Sequence, residues 1–122
     1  MRQDLLKSVL DKLNAASADI DASAIISSDG LIFASSLPGE QLDQDRVSAL
    51  SAALLSIGVR LATELGCGAL QQLMLKSELG YVIAMQTRPE TVLIAVLKPT
   101  AKPGLAVIDV LRAAEAAELI MK

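Results

Sequence analysis

The sequence predicts an α+β domain in the order α-β-β-α-β-β-β-α, a five-stranded antiparallel sheet with a long helix on one face and the terminal helices on the other. Three observations carry this. Both ends and the middle of the chain show apolar residues at helical spacing. Asp29-Gly30 sits between two short β-prone runs. Three more short apolar runs follow the middle helix, and the turns between them are too short to cross a sheet, so they form an antiparallel meander. At 122 residues the chain is a single domain spanning residues 1–122.

Residues 2–16 place Leu5, Leu6, Val9, Leu10 and Leu13 on one helical face, with Asp4, Lys7, Asp11 and Lys12 opposite. Small and polar residues from position 14 to 21 end this helix. Residues 22–27 and 31–36 read as strands joined at Ser28-Asp29-Gly30, where glycine supplies a positive φ at little cost. Leu37-Pro38-Gly39 reads as a loop. A long helix spans residues 43–65; the Asp43 carboxylate caps its first turn and Gly66 stops it, leaving Gly66-Cys67-Gly68 as a tight exit.

Strands follow at 70–76, 81–86 and 91–97, with turns at Gly80 and at Arg88-Pro89-Glu90. Pro99 and Pro103 bracket the final loop, and Pro103 stands where a first helical turn tolerates proline. The last helix covers residues 104–120, with Leu105, Ile108, Leu111 and Leu119 expected to face inward. Phe33 and Tyr81, both on strands, are expected in the core.

Composition removes whole classes of chemistry. The chain has no histidine, so no Ser-His-Asp or Cys-His nucleophile pair exists. With one cysteine besides, zinc, haem and iron–sulfur sites lack ligands. Two aromatic residues and a net charge of −3 serve neither base stacking nor phosphate neutralisation, so nucleic acid is not an expected partner. Charges at Asp4, Lys7 and Asp11 interrupt the start of the chain, and no run approaches the roughly 20 apolar residues of a bilayer span. A cytoplasmic protein without membrane insertion is expected. Against 20% charged residues stand 52% hydrophobic ones, a surplus that suggests that some of them meet another chain.

The long helix locates part of that surplus. Val47, Leu50, Leu54, Ile57, Leu61 and Leu65 form one bulky stripe at spacings of three and four. Ser48, Ser51, Ala52, Leu55, Val59 and Ala62 form a second stripe of mostly small residues. A helix on one sheet needs an apolar stripe of roughly 100°, and this helix carries about twice that. The bulky stripe suits its own sheet, and the small-residue stripe suits close approach by a helix of a second copy. The terminal helices of the same chain are the other candidates to cover it, but the far face of the sheet requires them. The remaining arc, with Asp45, Arg46, Ala49, Ala53, Ser56 and Arg60, is a flat surface suited to docking another partner.

The order of elements resembles the roadblock / dynein-light-chain family. So do Asp29-Gly30-Leu31, Val47-Ser48-Ala49-Leu50 in the long helix, Glu64-Leu65-Gly66 at its exit, the apolar strand at 92–96 and Pro103-Gly104-Leu105. The likeness spans about residues 5 to 120, and its specificity lies in order and spacing. It implies a roadblock-like fold related to profilin and longin. It also implies homodimers or pseudo-symmetric heterodimers in which long helices pair antiparallel and two sheets join into one. Bacterial members of that family work beside small Ras-like GTPases as activating partners or scaffolds; eukaryotic ones serve as dynein light chains or lysosomal adaptor subunits.

Other candidates reduce to structure. Cys67 lies at a helix C-terminus, which disfavours a thiolate. Asp29-Gly30 is a turn without further metal ligands. Gly66-Cys67-Gly68 lacks the Lys-Ser/Thr ending of a phosphate loop, so no nucleotide is expected on this chain. Arg46 and Arg60 are solvated charge or partner contacts, with Arg60 favoured as a contact and not a catalyst. No catalytic, cofactor or metal residue is expected. The expected function is a non-catalytic homodimeric regulator or scaffold that docks a Ras-like small GTPase and modulates its nucleotide state. The competing readings are an adaptor or light chain clamping a non-GTPase partner and, less favoured for want of aromatics, a small-ligand sensor.

Overall fold

A computed structural model describes residues 1–36, 43–88 and 90–121. Its elements are α1 (Arg2–Ala16), β1 (Ile20–Ser27), β2 (Ile32–Ser36), α2 (Gln44–Glu64), β3 (Gln72–Ser77), β4 (Gly80–Arg88), β5 (Thr91–Leu97) and α3 (Pro103–Met121). The order is the expected one, with boundaries displaced by no more than two residues. The expected loop at Leu37-Pro38-Gly39, and Pro89 of the expected last turn, lie outside the described residues.

Local chemistry explains the breaks. Asp43 caps α2, its carboxylate accepting from the Arg46 backbone N–H at 3.1 Å. At the other end Gly66 takes φ +70°. The Gly66 N–H then donates to the Thr63 carbonyl at 3.1 Å and the Cys67 N–H to that of Ala62 at 2.8 Å, the paired bonds of a Schellman cap. In the first hairpin the Ser27 hydroxyl accepts from the N–H groups of Asp29 and Leu31. Gly80 begins β4 so close to β5 that an added Cβ would lie 2.5 Å from the Leu97 carbonyl oxygen.

All strand pairs are antiparallel and the sheet order is β2-β1-β5-β4-β3. The hairpin and the meander thus join through β1 and β5. These two strands are buried along nearly their whole length because layers cover both of their faces. On one face α1 and α3 pack over Ile25, Ile83, Met85, Leu93 and Ala95. On the other, α2 packs over Ala24, Ile26, Ala84, Val92 and Ile94. Phe33 and Tyr81 pack, half-buried, at the margin of the first core.

Two expectations about helix faces are corrected. The inward face of α3 is Ala106, Val110, Ala113, Ala114 and Ala117, whereas Leu105, Ile108, Leu111 and Leu119 are exposed. On α2 the small-residue stripe, and not the bulky one, meets the sheet. Ser48 is 1% exposed, Ala52 7% and Leu55 4%. The reason is common to both helices: small side chains let a helix backbone approach a sheet closely, just as they do a second helix. Ser48 shows how close, since its hydroxyl donates to the Gly30 carbonyl at 2.6 Å. A Cβ on Gly30 would lie 3.1 Å from the Ala49 Cα.

A polar bridge ties α1 to the hairpin. The Asn14 amide donates to the Ser36 hydroxyl at 2.7 Å and accepts from the Ser23 hydroxyl at 2.9 Å. Ser23 is fully buried, so losing Asn14 leaves its hydroxyl without that acceptor. Asn14→Ala is expected to destabilise the fold by about 1 kcal/mol, read from chemical denaturation; Asn14→Gly adds a further helix penalty of similar size.

Candidate docking surface

The outer face of α2 is the most conspicuous surface of the chain. The inward stripe of Ser48, Ala52 and Leu55 anchors the helix, and Gly58 lets it settle against Leu70 and Leu73, where a Cβ would come within 3.3 Å of both side chains. That anchoring turns most of the bulky stripe outward, while Val47 and Leu54 stay half-buried. Leu50 is 64% exposed, Ile57 62% and Leu61 56%, and Leu65 just beyond the helix is 68% exposed. By length and composition alone Gln44–Glu64 is apolar enough to cross a membrane, yet only 17% of its most apolar window is buried within the chain. Its packed inner face and the charges Asp45, Arg46, Arg60 and Glu64 assign it instead to the surface of a folded domain.

The six residues expected at a dimer seam do not stay together. Ser48, Ala52 and Leu55 are used inside the protomer. Ser51 is half-buried and returns its hydroxyl to the Val47 carbonyl at 2.7 Å. Ala62 is half-buried, and of the six only Val59 is exposed. Leu50, Ile57, Leu61 and Leu65 are the large apolar residues that α2 and its exit leave exposed instead. Their signal was legible as the heptad-like stripe, but that stripe was assigned to the sheet.

The expected docking arc does lie on one accessible face: Asp45, Arg46, Ala49, Ala53, Ser56 and Arg60 are all exposed. Arg46 and Arg60 stand about 21 Å apart along the helix axis. Neither has an ion-pair partner among the described residues. Cations spaced along a helix with alanine and serine between them present charge on a surface with little steric relief.

Beside α2 the sheet ends in an open edge. Among the described residues β3 bonds to β4 on one side only, and its other side carries unpaired backbone groups. Its Leu75, on the α2 side of the sheet, is half-exposed, as is Met74 on the opposite side. Cys67 is exposed at the α2 exit. Among the described residues no three His, Cys, Asp or Glu side chains gather in a group able to hold a metal ion.

Comparison with known proteins identifies the family and the fold. The family model of the Roadblock/LC7 domain matches residues 6–98. An uncharacterized protein of Methanocaldococcus jannaschii is 34% identical over 111 residues, covering 91% of this chain and 95% of its own length. Among solved structures, MglB of Myxococcus xanthus is similar with a TM-score of 0.90 at 14% identity, over 98% of this chain and 89% of that one. A Roadblock/LC7 domain from Streptomyces avermitilis is similar with a TM-score of 0.86 at 15% identity, over 94% of this chain and 96% of the other.

Proposed function

Because this chain belongs to the Roadblock/LC7 domain family, we propose that it is a cytoplasmic, non-catalytic homodimer whose paired α2 helices form a platform for a small Ras-like GTPase. The observation that carries the dimer is the outward stripe of Leu50, Ile57 and Leu61, each more than half exposed, beside the open edge of β3. Exposed apolar surface of this extent on a small domain marks an interaction site. Pairing the helices across a two-fold covers the stripe, and pairing the β3 edges satisfies the free strand. The interface is therefore the bulky stripe, with Val59 at its margin.

The GTPase docks on what the dimer leaves open, the arc of Asp45, Arg46, Ala49, Ala53, Ser56 and Arg60. This partner class rests on what the family resemblance implies; the exposure of all six residues is compatible with it. Regulation then requires that the platform bind one nucleotide state of its partner better than the other, because equal affinity shifts nothing. In a pulldown with a cognate GTPase, retention in the GTP-analogue state and release in the GDP state is the expected result. Retention independent of nucleotide reduces the role to scaffolding, and a stable partner that is no GTPase replaces it with the adaptor reading.

Arg60→Ala tests the arc directly. Dimer sedimentation should be unchanged and GTPase affinity should fall about tenfold, the effect of removing an interfacial arginine of ordinary weight. Unchanged affinity moves the docking surface elsewhere.

A further inference from the structure

We infer that the outer face of α3 is a second self-association seam, on which α3 of another copy of this chain packs antiparallel. The small residues of α3 are used against the sheet. The face turned away from it carries Leu105, Ile108, Arg112, Glu115 and Leu119, at alternating spacings of three and four. At that spacing one helix meets another along a coiled-coil seam. Leu105 is 60% exposed, Ile108 48% and Leu119 68%, and Arg112 and Glu115 are exposed beside them. Neither Arg112 nor Glu115 has an ion-pair partner among the described residues.

Charge selects both the occupant and its direction. A parallel pair of α3 helices sets Arg112 against Arg112 and Glu115 against Glu115, which repel. In an antiparallel pair whose two-fold lies at the level between Ala113 and Ala114, Arg112 faces Glu115 of the second copy and Ile108 faces its Leu119, each twice. Sliding that pair by seven residues sets Arg112 against Ile108 in one direction and Glu115 against Leu119 in the other. At the flanks of the matched register Leu111 lies beside Glu118 of the second copy and Asp109 beside its Ala116, so no like charges meet. Lys12 is the α1 charge that lines the groove between α1 and α3, next to Asp109 and Arg112. It adds a cation to the half of the seam that meets Glu115 and Glu118 of the second copy. One helix pair buries less than the roughly 1,200 Å² of a stable interface, so this contact forms with rising concentration. It lies on the opposite side of the sheet from α2 and can form together with the α2 pairing.

The test is sedimentation over a concentration series with two charge variants. The parent should associate reversibly. Arg112→Glu alone and Glu115→Arg alone should each weaken that association at least about tenfold, since each sets like charges together. An equimolar mixture of the two variants should associate like the parent, because every facing pair is again an arginine and a glutamate. Both positions are exposed, so the variants should melt like the parent. Register is read by disulfide formation between Ile108→Cys and Leu119→Cys chains, each also carrying Cys67→Ser. The mixed pair should cross-link at least about tenfold faster than either chain with itself, because like positions lie about 16 Å apart along the antiparallel pair. No association of the parent, charge variants that associate like it, a mixture no better than its components, or cross-linking without preference for the mixed pair overturns the seam. With the α2 pairing in place the parent passes from dimer to tetramer; without it the parent passes from monomer to dimer. The seam and the α2 interface therefore fail independently.

Discussion

Ile57→Asp should separate the dimer into folded protomers, whereas Ala52→Glu should unfold the protomer itself. Ile57 is 62% exposed on the outward stripe, so an aspartate there is solvated in the isolated chain and costs its stability little. Across a two-fold helix pair the same carboxylate is buried twice, once from each copy. The expected cost is several kcal/mol, which weakens the dimer by about a hundredfold or more. Ala52 stands the other way. It is packed among Ala84, Val92 and Ile94, and a glutamate in that layer must either be buried unpaired or lift α2 from the sheet. Such a change costs several kcal/mol against a total stability of about 5–15 kcal/mol. Sedimentation velocity and a thermal melt on both variants decide the matter. A dimeric Ile57→Asp protein removes the α2 stripe as the interface, and a folded monomeric Ala52→Glu protein restores the small-residue seam.

The second large effect is expected on α3. Ala117 is fully buried against the sheet, and the inward face around it consists of Ala106, Val110, Ala113 and Ala114. Ala117→Leu adds three carbons where the helix backbone lies close to the strands. Close-packed interiors have no slack for this, so the helix must tilt or the side chain leave its rotamer. The destabilisation should reach about 3 kcal/mol, and the melting temperature should drop by about 10 °C. Leu119→Ser, on the exposed face of the same helix, should change stability by no more than about 0.5 kcal/mol in either direction. Reversal of this order, with the leucine position sensitive and the alanine position tolerant, would mean that α3 presents its other face to the sheet.

The two experiments probe the same ambiguity. α2 and α3 are each apolar around more than one face, and periodicity reports only that such faces exist. Size was the remaining clue, and it points both ways. Bulky residues fill a distant gap, and small ones permit a close approach. In this fold close approach prevails on both sides of the sheet, so alanine and serine go inward and leucine and isoleucine outward. The exposure of the polar arc escaped the ambiguity because Asp45, Arg46 and Arg60 cannot be buried cheaply without partners, whichever stripe turns inward.

Local physics determined the elements themselves. Asp43 and Gly66 bound the long helix, Gly30 turns the first hairpin, and the short spacings from Gly80 onward force a meander; each depends on a few neighbouring residues and is readable without the rest of the molecule. The tertiary structure alone decided that β1 lies against β5, which leaves β3 at an edge, and which azimuth of each helix meets the sheet. Those choices set the backbone separation between helices and sheet for the whole chain at once, and leave large apolar side chains outside. Residues far apart in sequence enter that balance together, and no window of the sequence contains them all.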